Sequence, residues 1–404
     1  MTNEMKNVPK LRFPEFTGEW EKTTIGDIGS FYYGKSAPKW SITDDATIPC
    51  VRYGELYTKY KGIINEIYSY TNIDRNNLRF SKGGEILVPR VGEDPMDFAK
   101  CSYLPFSDIA IGEMISVYNT NQNPIFITSY FNSKLKYEFA KRVEGASVSN
   151  LYYSYLNDIN LLIPKIEEQQ KIGDFFSKLD QQIELEEQKL EKLEEQKKGY
   201  MQQIFSQELR FKDDNGDEYP EWKYNYLGNY LISHDEKTTE NNQYPVLTSS
   251  REGLFLQKDY FTRDVASKDN TGYNVVPYGF FTYRHMSDDL VFKFNINYLV
   301  PKGIVSTLYP VFSTNDNLDN YFLRELLNNG IEFQKYALMQ KQGGSRTYMY
   351  FNKLKNLKLH IPVLEEQQKT GSFLEKLDKL IEKQSAKVEL LKERKKGFLQ
   401  KMFV

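Results

Sequence analysis

A chain of 404 residues exceeds the roughly 100 to 200 that one core ordinarily organises, so two or three domains are expected. Apolar residues at 40% and charged residues at 27% exclude a disordered or membrane-embedded composition. A net charge of −2 excludes the global basic field of many small DNA-binding domains, so any nucleic-acid site must be local.

The first residues, Met1 to Asn7, are polar, and no run approaches the ~20 apolar residues of a membrane span. A cytoplasmic protein with no membrane partner is expected. Cys50 and Cys101 have no Cys-x-x-Cys spacing and no nearby His, so neither a disulfide framework nor zinc is expected. The aromatic share of 15%, mostly Tyr and Phe, suits β-rich binding domains.

A first domain is expected over 1–163. Reading DNA requires Arg, Asn or Gln at base edges and Lys, Ser, Thr or backbone amides at phosphates. The loop-like candidates here are Lys35, Lys39 beside Trp40, Arg52, Lys59, Lys61, and Arg90 after the strand-like Glu85-Ile-Leu-Val88. Asn123-Pro-Ile-Phe126 reads as a turn before a strand. The glycine-rich turn Gly145-Ala-Ser147 suits either a phosphate, with Ser147 as donor, or the junction to a packed helix, and both readings stay open.

A long helix is expected over 164–207, with an apolar seam at Ile172, Phe176, Leu179, Ile183, Leu190, Leu193, Tyr200 and Ile204, interrupted by Glu186 and Lys197. Pro164 and the acidic Glu167-Glu168 mark its start. A second domain over 208–361 offers Ser249, Arg251, Lys268, Asn270, Arg284 after the strand-like Phe280-Phe-Thr-Tyr283, and Ser345 with Arg346 in a second glycine-rich turn. A second helix over 362–404 carries Leu374, Leu377, Ile381, Val388, Leu391, Phe398 and Met402, with Thr370, Gln384 and Lys395 as exceptions.

The two halves repeat. Asn160 to Gln181 aligns without a gap on Lys358 to Lys379 at a constant offset of 198, as in Ile163 with Ile361 and Asp180 with Asp378. Leu11-Arg-Phe13 matches Leu209-Arg-Phe211 at the same offset, while 30–140 and 232–340 are poorly alike. The frame is duplicated and the contents differ. Either helix alone suggests a homodimeric coiled coil, but one chain supplies both strands of the seam, and an intramolecular pair needs no association entropy. Because the first helix feeds the second domain and the second should return to the first, the pair must be antiparallel. At 1.5 Å per residue, ~40 residues give a rod of ~60 Å. The expected fold is therefore α+β: two globular domains joined by two long antiparallel coiled-coil helices, related by a pseudo-twofold repeat. The segments Glu167-Glu168-Gln169-Gln170 and Glu365-Glu366-Gln367-Gln368 recur identically, which points to a shared partner-docking surface.

Motifs for catalysis are missing. No second Pro follows Asn123-Pro-Ile-Phe126, so the Asn/Asp-Pro-Pro-aromatic loop of a base-amino methyltransferase is not formed, and no GxxxxGK[ST] is present. Glu93, Asp94 and Asp97 flank Pro95 and read as a solvated turn, and His234, His285 and His360 lie at no ligand spacing. No catalytic residue, metal or cofactor is expected. A fused enzyme and a coiled-coil scaffold remain as rival classes, separable by a methyl-transfer assay and by mass measurement with DNA binding.

The helix starts Ile163 to Lys171 and Ile361 to Lys369, the Leu-Asp of Leu179-Asp180 and Leu377-Asp378, and the Leu-Arg-Phe-Pro-Glu-Phe of Leu11 to Phe16 resemble the specificity subunits of type I restriction-modification systems. The second opening departs from that pattern, reading Leu-Arg-Phe-Lys-Asp-Asp at Leu209 to Asp214. The resemblance covers essentially the whole chain. It implies that each variable domain is a target-recognition domain for one half of a split, asymmetric double-stranded DNA sequence, with the helices as the ruler. It also implies two methyltransferase subunits docked on the frame and restriction subunits joining them, with no catalysis by this chain.

Overall fold

In a computed structural model of the chain, the structure describes residues 7–260, 269–341 and 346–404. Contacts group the chain into two compact units, Met1–Glu187 with Ala386–Val404, and Gln188–Ser385. The two long helices, Ile166–Phe205 and Leu364–Lys401, are each divided between the units. The sequence-based division into 1–163, 164–207, 208–361 and 362–404 treats them as separate segments, whereas each unit holds the start of one helix against the end of the other.

In the first unit a four-stranded antiparallel sheet runs in the order Gly29–Tyr33, Ile115–Thr120, Glu85–Pro89, Ser102–Leu104. Helix Pro124–Ser133 packs with it. Ile86, Val88, Tyr118, Phe126, Phe131, Phe176 and Phe403 join one buried cluster with Trp20, each aromatic side chain contributing roughly 2 to 3 kcal/mol. A second sheet, Ser69–Thr71, Ile48–Val51, Ser107–Ile111, Phe80–Lys82, contains one parallel pair. An antiparallel ladder of Glu21–Thr24 with Asn160–Ile163 closes the unit just before the long helix.

The second unit repeats this plan with Leu231–Ser233, Val311–Thr314, Phe281–Tyr283, Phe294–Ile296 as its sheet, helix Asn320–Asn329 packed beside it, and Lys223–Tyr226 with Lys358–Ile361 as its closing ladder. Its remaining strands differ, forming two-stranded ribbons such as Leu247–Ser249 with Leu254–Leu256 and Asn274–Pro277 with Lys302–Val305.

Within each unit the helix segments run antiparallel. In the first, Asp180 pairs with Lys395 and Glu187 with Lys392, while Phe175 meets Phe398 edge-on at 5.1 Å. In the second, Asp378 pairs with Lys197 at 2.6 Å and Tyr200 meets Phe373 edge-on at 5.1 Å. These are repeat-related contacts. The seam breaks at Lys197 and Lys395 are thus ion-pair positions, and Gln384 is buried. Ile172, Phe176, Ile183, Ile204, Leu374, Val388, Leu391 and Met402 are buried, while Leu179, Leu190, Leu193, Leu377, Ile381 and Phe398 are half-buried.

One expectation is corrected. Asn123-Pro-Ile-Phe126 starts a helix instead of a strand: the Asn123 side chain accepts the backbone N–H of Phe126 at 2.8 Å, and Pro124 takes the first helical position, where its missing N–H is not needed. Asp319 caps helix Asn320–Asn329 in the same way.

Candidate nucleic-acid interface

The repeated motifs meet in a clasp that orients each domain on its helix. Arg12 forks onto Glu168 through Nε at 2.8 Å and Nη2 at 2.7 Å, and Arg210 does the same to Glu366 at 3.0 and 2.8 Å. Gln169 accepts the backbone N–H of Asn123 at 3.1 Å and donates to the Pro164 carbonyl, while Gln367 accepts that of Asp319 at 2.8 Å and donates to Pro362. Burial of Glu168, Gln169, Glu366 and Gln367 removes these four from the expected docking surface. Their identity in both copies follows from internal contacts. Glu167, Gln170, Glu365 and Gln368 remain exposed at equivalent positions.

The sheet register brings several DNA candidates to one end. Strands Gly29–Tyr33 and Glu85–Pro89 both pair antiparallel with Ile115–Thr120, with Tyr33 and Val88 both opposite Ser116. Their C-terminal ends coincide, so the loop carrying Lys35, Lys39 and Trp40 leaves the sheet where Arg90 does. The two-residue ladder of Val91–Gly92 with Ser149–Asn150 carries the Gly145-Ala-Ser147 turn to the same end, and the Leu151 N–H donates to the Arg90 carbonyl at 2.8 Å. Gly145 has φ +118°, and a Cβ there would lie 2.5 Å from the Val148 carbonyl, so the turn needs glycine.

Arg90 is held between rings, its Cζ 4.5 Å from the Tyr33 centroid and 5.6 Å from that of Tyr152. Its Nε is buried and makes no hydrogen bond. Burial raises the Tyr33 phenol above its ordinary value, with Arg90 opposing the shift. Repetition marks the aromatic support, since Tyr152 and Tyr350 are 198 apart. Polar-residue chemistry points to neither tyrosine, although their place in the repeat makes them legible.

In the second unit, Arg284 follows the equivalent strand and is exposed. Its neighbour His285, and not Arg284, stacks on Tyr350 at 5.1 Å, and Tyr348 stacks on Tyr350 at 5.7 Å. The ladder of Met286–Ser287 with Thr347–Tyr348 matches that of the first unit. Arg346 is exposed and pairs with Asp288 at 2.9 Å, and Arg251 pairs with Asp289 at 2.8 Å.

Other candidates lie elsewhere. Asn270 is buried and hydrogen-bonds Asn242, and Ser249 is buried against Asn295 at 2.8 Å, so both support their own loops and are not available to DNA. Lys61 pairs with Glu187 on the long helix at 2.8 Å, and Lys59 lies over Tyr68. The backbone N–H of Arg52 is capped by Glu55 at the start of helix Tyr53–Thr58. Ser147 is exposed at its turn. Lys268 and Ser345 lie outside the described residues. Among the described residues no group of three or more His, Cys, Asp or Glu could hold a metal ion, and no helix is long and apolar enough to cross a membrane.

The family model described as the type I restriction modification DNA specificity domain matches residues 17–195 and 225–390, one match for each copy of the frame. The chain belongs to the type I restriction-modification specificity subunits. Proteins of this family are the non-catalytic, DNA-recognising components of their systems. The chain is 24% identical, over 97% of its length and 93% of the relative's, to the type I restriction enzyme MjaVIII specificity subunit of Methanocaldococcus jannaschii. It is 25% identical, over 49% of each chain, to the putative MjaX specificity subunit of the same organism. In fold it is similar to the crystal structure of the type I restriction-modification S subunit from M. genitalium, with a TM-score of 0.61, 16% identity, and coverage of 98% of this chain and 99% of that one.

Proposed function

We propose that each unit reads one half of a split, asymmetric double-stranded DNA target, that the long helices fix the unread gap, and that two methyltransferase subunits dock on the duplicated frame. Restriction subunits would join through them. The observation that carries this reading is one scaffold used twice with different contents: the same clasp and the same four-stranded sheet present unlike loops at equivalent strand ends. Two copies of one reader with different loops favour two unlike half-sites. Arg90 and Arg284 leave equivalent strands, and an arginine fork suits guanine O6 and N7. The exposed Glu167, Gln170, Glu365 and Gln368, equal in both copies, are the surface members of the motif suited to a partner that meets both halves.

The test is to map methylated adenines in cells carrying this chain with its cognate methyltransferase. The reading expects one motif of two unlike halves separated by a gap of constant length. A contiguous motif or a palindrome would overturn the split, asymmetric reading, and a chain that binds no DNA would favour a scaffold role instead.

A further inference from the structure

The only tryptophan without a counterpart in the repeat stands in the loop after Gly29–Tyr33. Trp20 and Trp222 are the matched frame residues, at 2% and 7% exposed, whereas Trp40 is 72% exposed. Single exposed apolar rings are ordinary, and Tyr137 and Tyr278 are also open at 68% and 60%, but the loop around Trp40 is pinned on both sides. Before it, a Cβ on Gly34 would fall 2.1 Å from the Gly112 carbonyl, the Lys35 N–H donates to Ile111 at 2.8 Å, and the Glu113 N–H donates to Ser36 at 3.1 Å. Ser36 and Ala37 both take positive φ, 67° and 62°, a left-handed conformation that ordinary side chains disfavour. Ala37 is buried beside Cys50, Leu78 and Ala110. After it, Ser41 is fully buried, donating to the Pro38 carbonyl at 2.7 Å and accepting from Thr71 at 2.8 Å. The acidic Asp44-Asp45 comes only after this second pin. The chain thus holds a strained backbone whose visible product is an exposed indole flanked by the exposed Lys35 and Lys39, on a loop that leaves the first sheet where Arg90 does and is pinned through Ser41 to Thr71 of the second sheet.

We propose that Trp40 is a base-stacking wedge: its indole meets the face of a base in the half-site read by the first unit, while Lys35 and Lys39 meet the flanking phosphates. This rests on the reading that the first unit binds duplex DNA, and it adds a contact by ring stacking that does not depend on hydrogen-bond readout. The second unit's one tryptophan, Trp222, is the buried frame residue, so no matching indole serves the other half-site.

The chain reports on this itself, because Trp40 supplies the indole emission that acrylamide can reach. The probe is a fluorescein-labelled duplex carrying the mapped target, with binding followed by anisotropy and stacking by tryptophan emission. Binding should quench the Trp40 emission and shield it from acrylamide, and a duplex with only the first half-site scrambled should do neither. Trp40→Ala should remove the signal and weaken target binding roughly ten- to a hundred-fold, with Trp40→Phe recovering most of the affinity. Bound duplex with unchanged Trp40 emission and quenching overturns the wedge while leaving DNA reading intact. Absence of any bound duplex overturns both.

Discussion

Gly173 lies so close to Asn123 that a Cβ on it would stand 2.7 Å from the Asn123 Oδ1, and Gly371 stands in the same relation to Asp319. These helical glycines exist to let a capping side chain reach the helix. Gly173→Ala should cost ~1 to 3 kcal/mol by overpacking, measured by urea unfolding. Gly199 has nothing within 4 Å of its missing Cβ, so Gly199→Ala should stabilise the helix by ~0.5 to 1 kcal/mol. Equal effects of the two changes would show that approach to Asn123 is not what selects glycine.

The Arg12–Glu168 clasp should behave as a buried ion pair, since its side chains are 13% and 2% exposed. Arg12→Ala leaves a buried carboxylate and should cost ~3 to 5 kcal/mol, whereas the double change Arg12→Met with Glu168→Met should recover most of that loss. A double variant as unstable as the single one would show that the pair contributes net stability beyond avoiding an unpaired charge.

How much of this was legible differs by level. The repeat, the two helices and their antiparallel pairing followed from periodicity and the 198-residue offset, because a seam needs apolar residues at regular spacing. The strands that precede Arg90 and Arg284 are legible as the apolar runs Glu85-Ile-Leu-Val88 and Phe280-Phe-Thr-Tyr283. The role of Glu168 and Gln169 was not legible: a residue identical in both copies looks the same whether it serves a partner or an internal clasp, and only the fold brings Arg12 to Glu168 across 156 positions. Asn123-Pro124 was misread because Asn and Pro mark both turns and helix starts. Ser249 and Asn270 looked like loop residues free for DNA, but short polar side chains often hydrogen-bond their own loop.

Both cysteines should be inert in the native protein. Burial pushes the Cys50 thiol up to about 12, and the fully buried Cys101 is raised as well. The thiolate is the reactive form, so a chromogenic disulfide reagent near neutral pH should label neither until denaturant is added. Prompt labelling of the folded chain would contradict this burial.

Replacing Arg90 or Arg284 by Ala should weaken recognition of one half-site each. Loss of a bidentate guanine contact should cost ~1 to 3 kcal/mol and relax preference at one position, whereas loss of a phosphate contact weakens all sequences alike. Because Arg90 is held by Tyr33 and Tyr152, Tyr152→Ala should reproduce part of the Arg90→Ala defect. Competition binding against half-site variants measures both, and unchanged discrimination in both arginine variants would make them ordinary surface residues.

The central claim is that the helices set the gap between half-sites, and the chain offers a direct place to test it. The compact units divide between Glu187 and Gln188 in the first helix and between Ser385 and Ala386 in the second. Inserting one heptad at both places keeps the phase of the seam and lengthens each helix by ~10 Å, or ~3 base pairs at 3.4 Å per pair. The measurement is the methylated motif produced by the doubly inserted chain with its methyltransferase. The account predicts the same two half-sites separated by a gap ~3 base pairs longer, with some loss of affinity from the added rotation about the DNA axis. A chain that folds, supports methylation and keeps its original gap would contradict it.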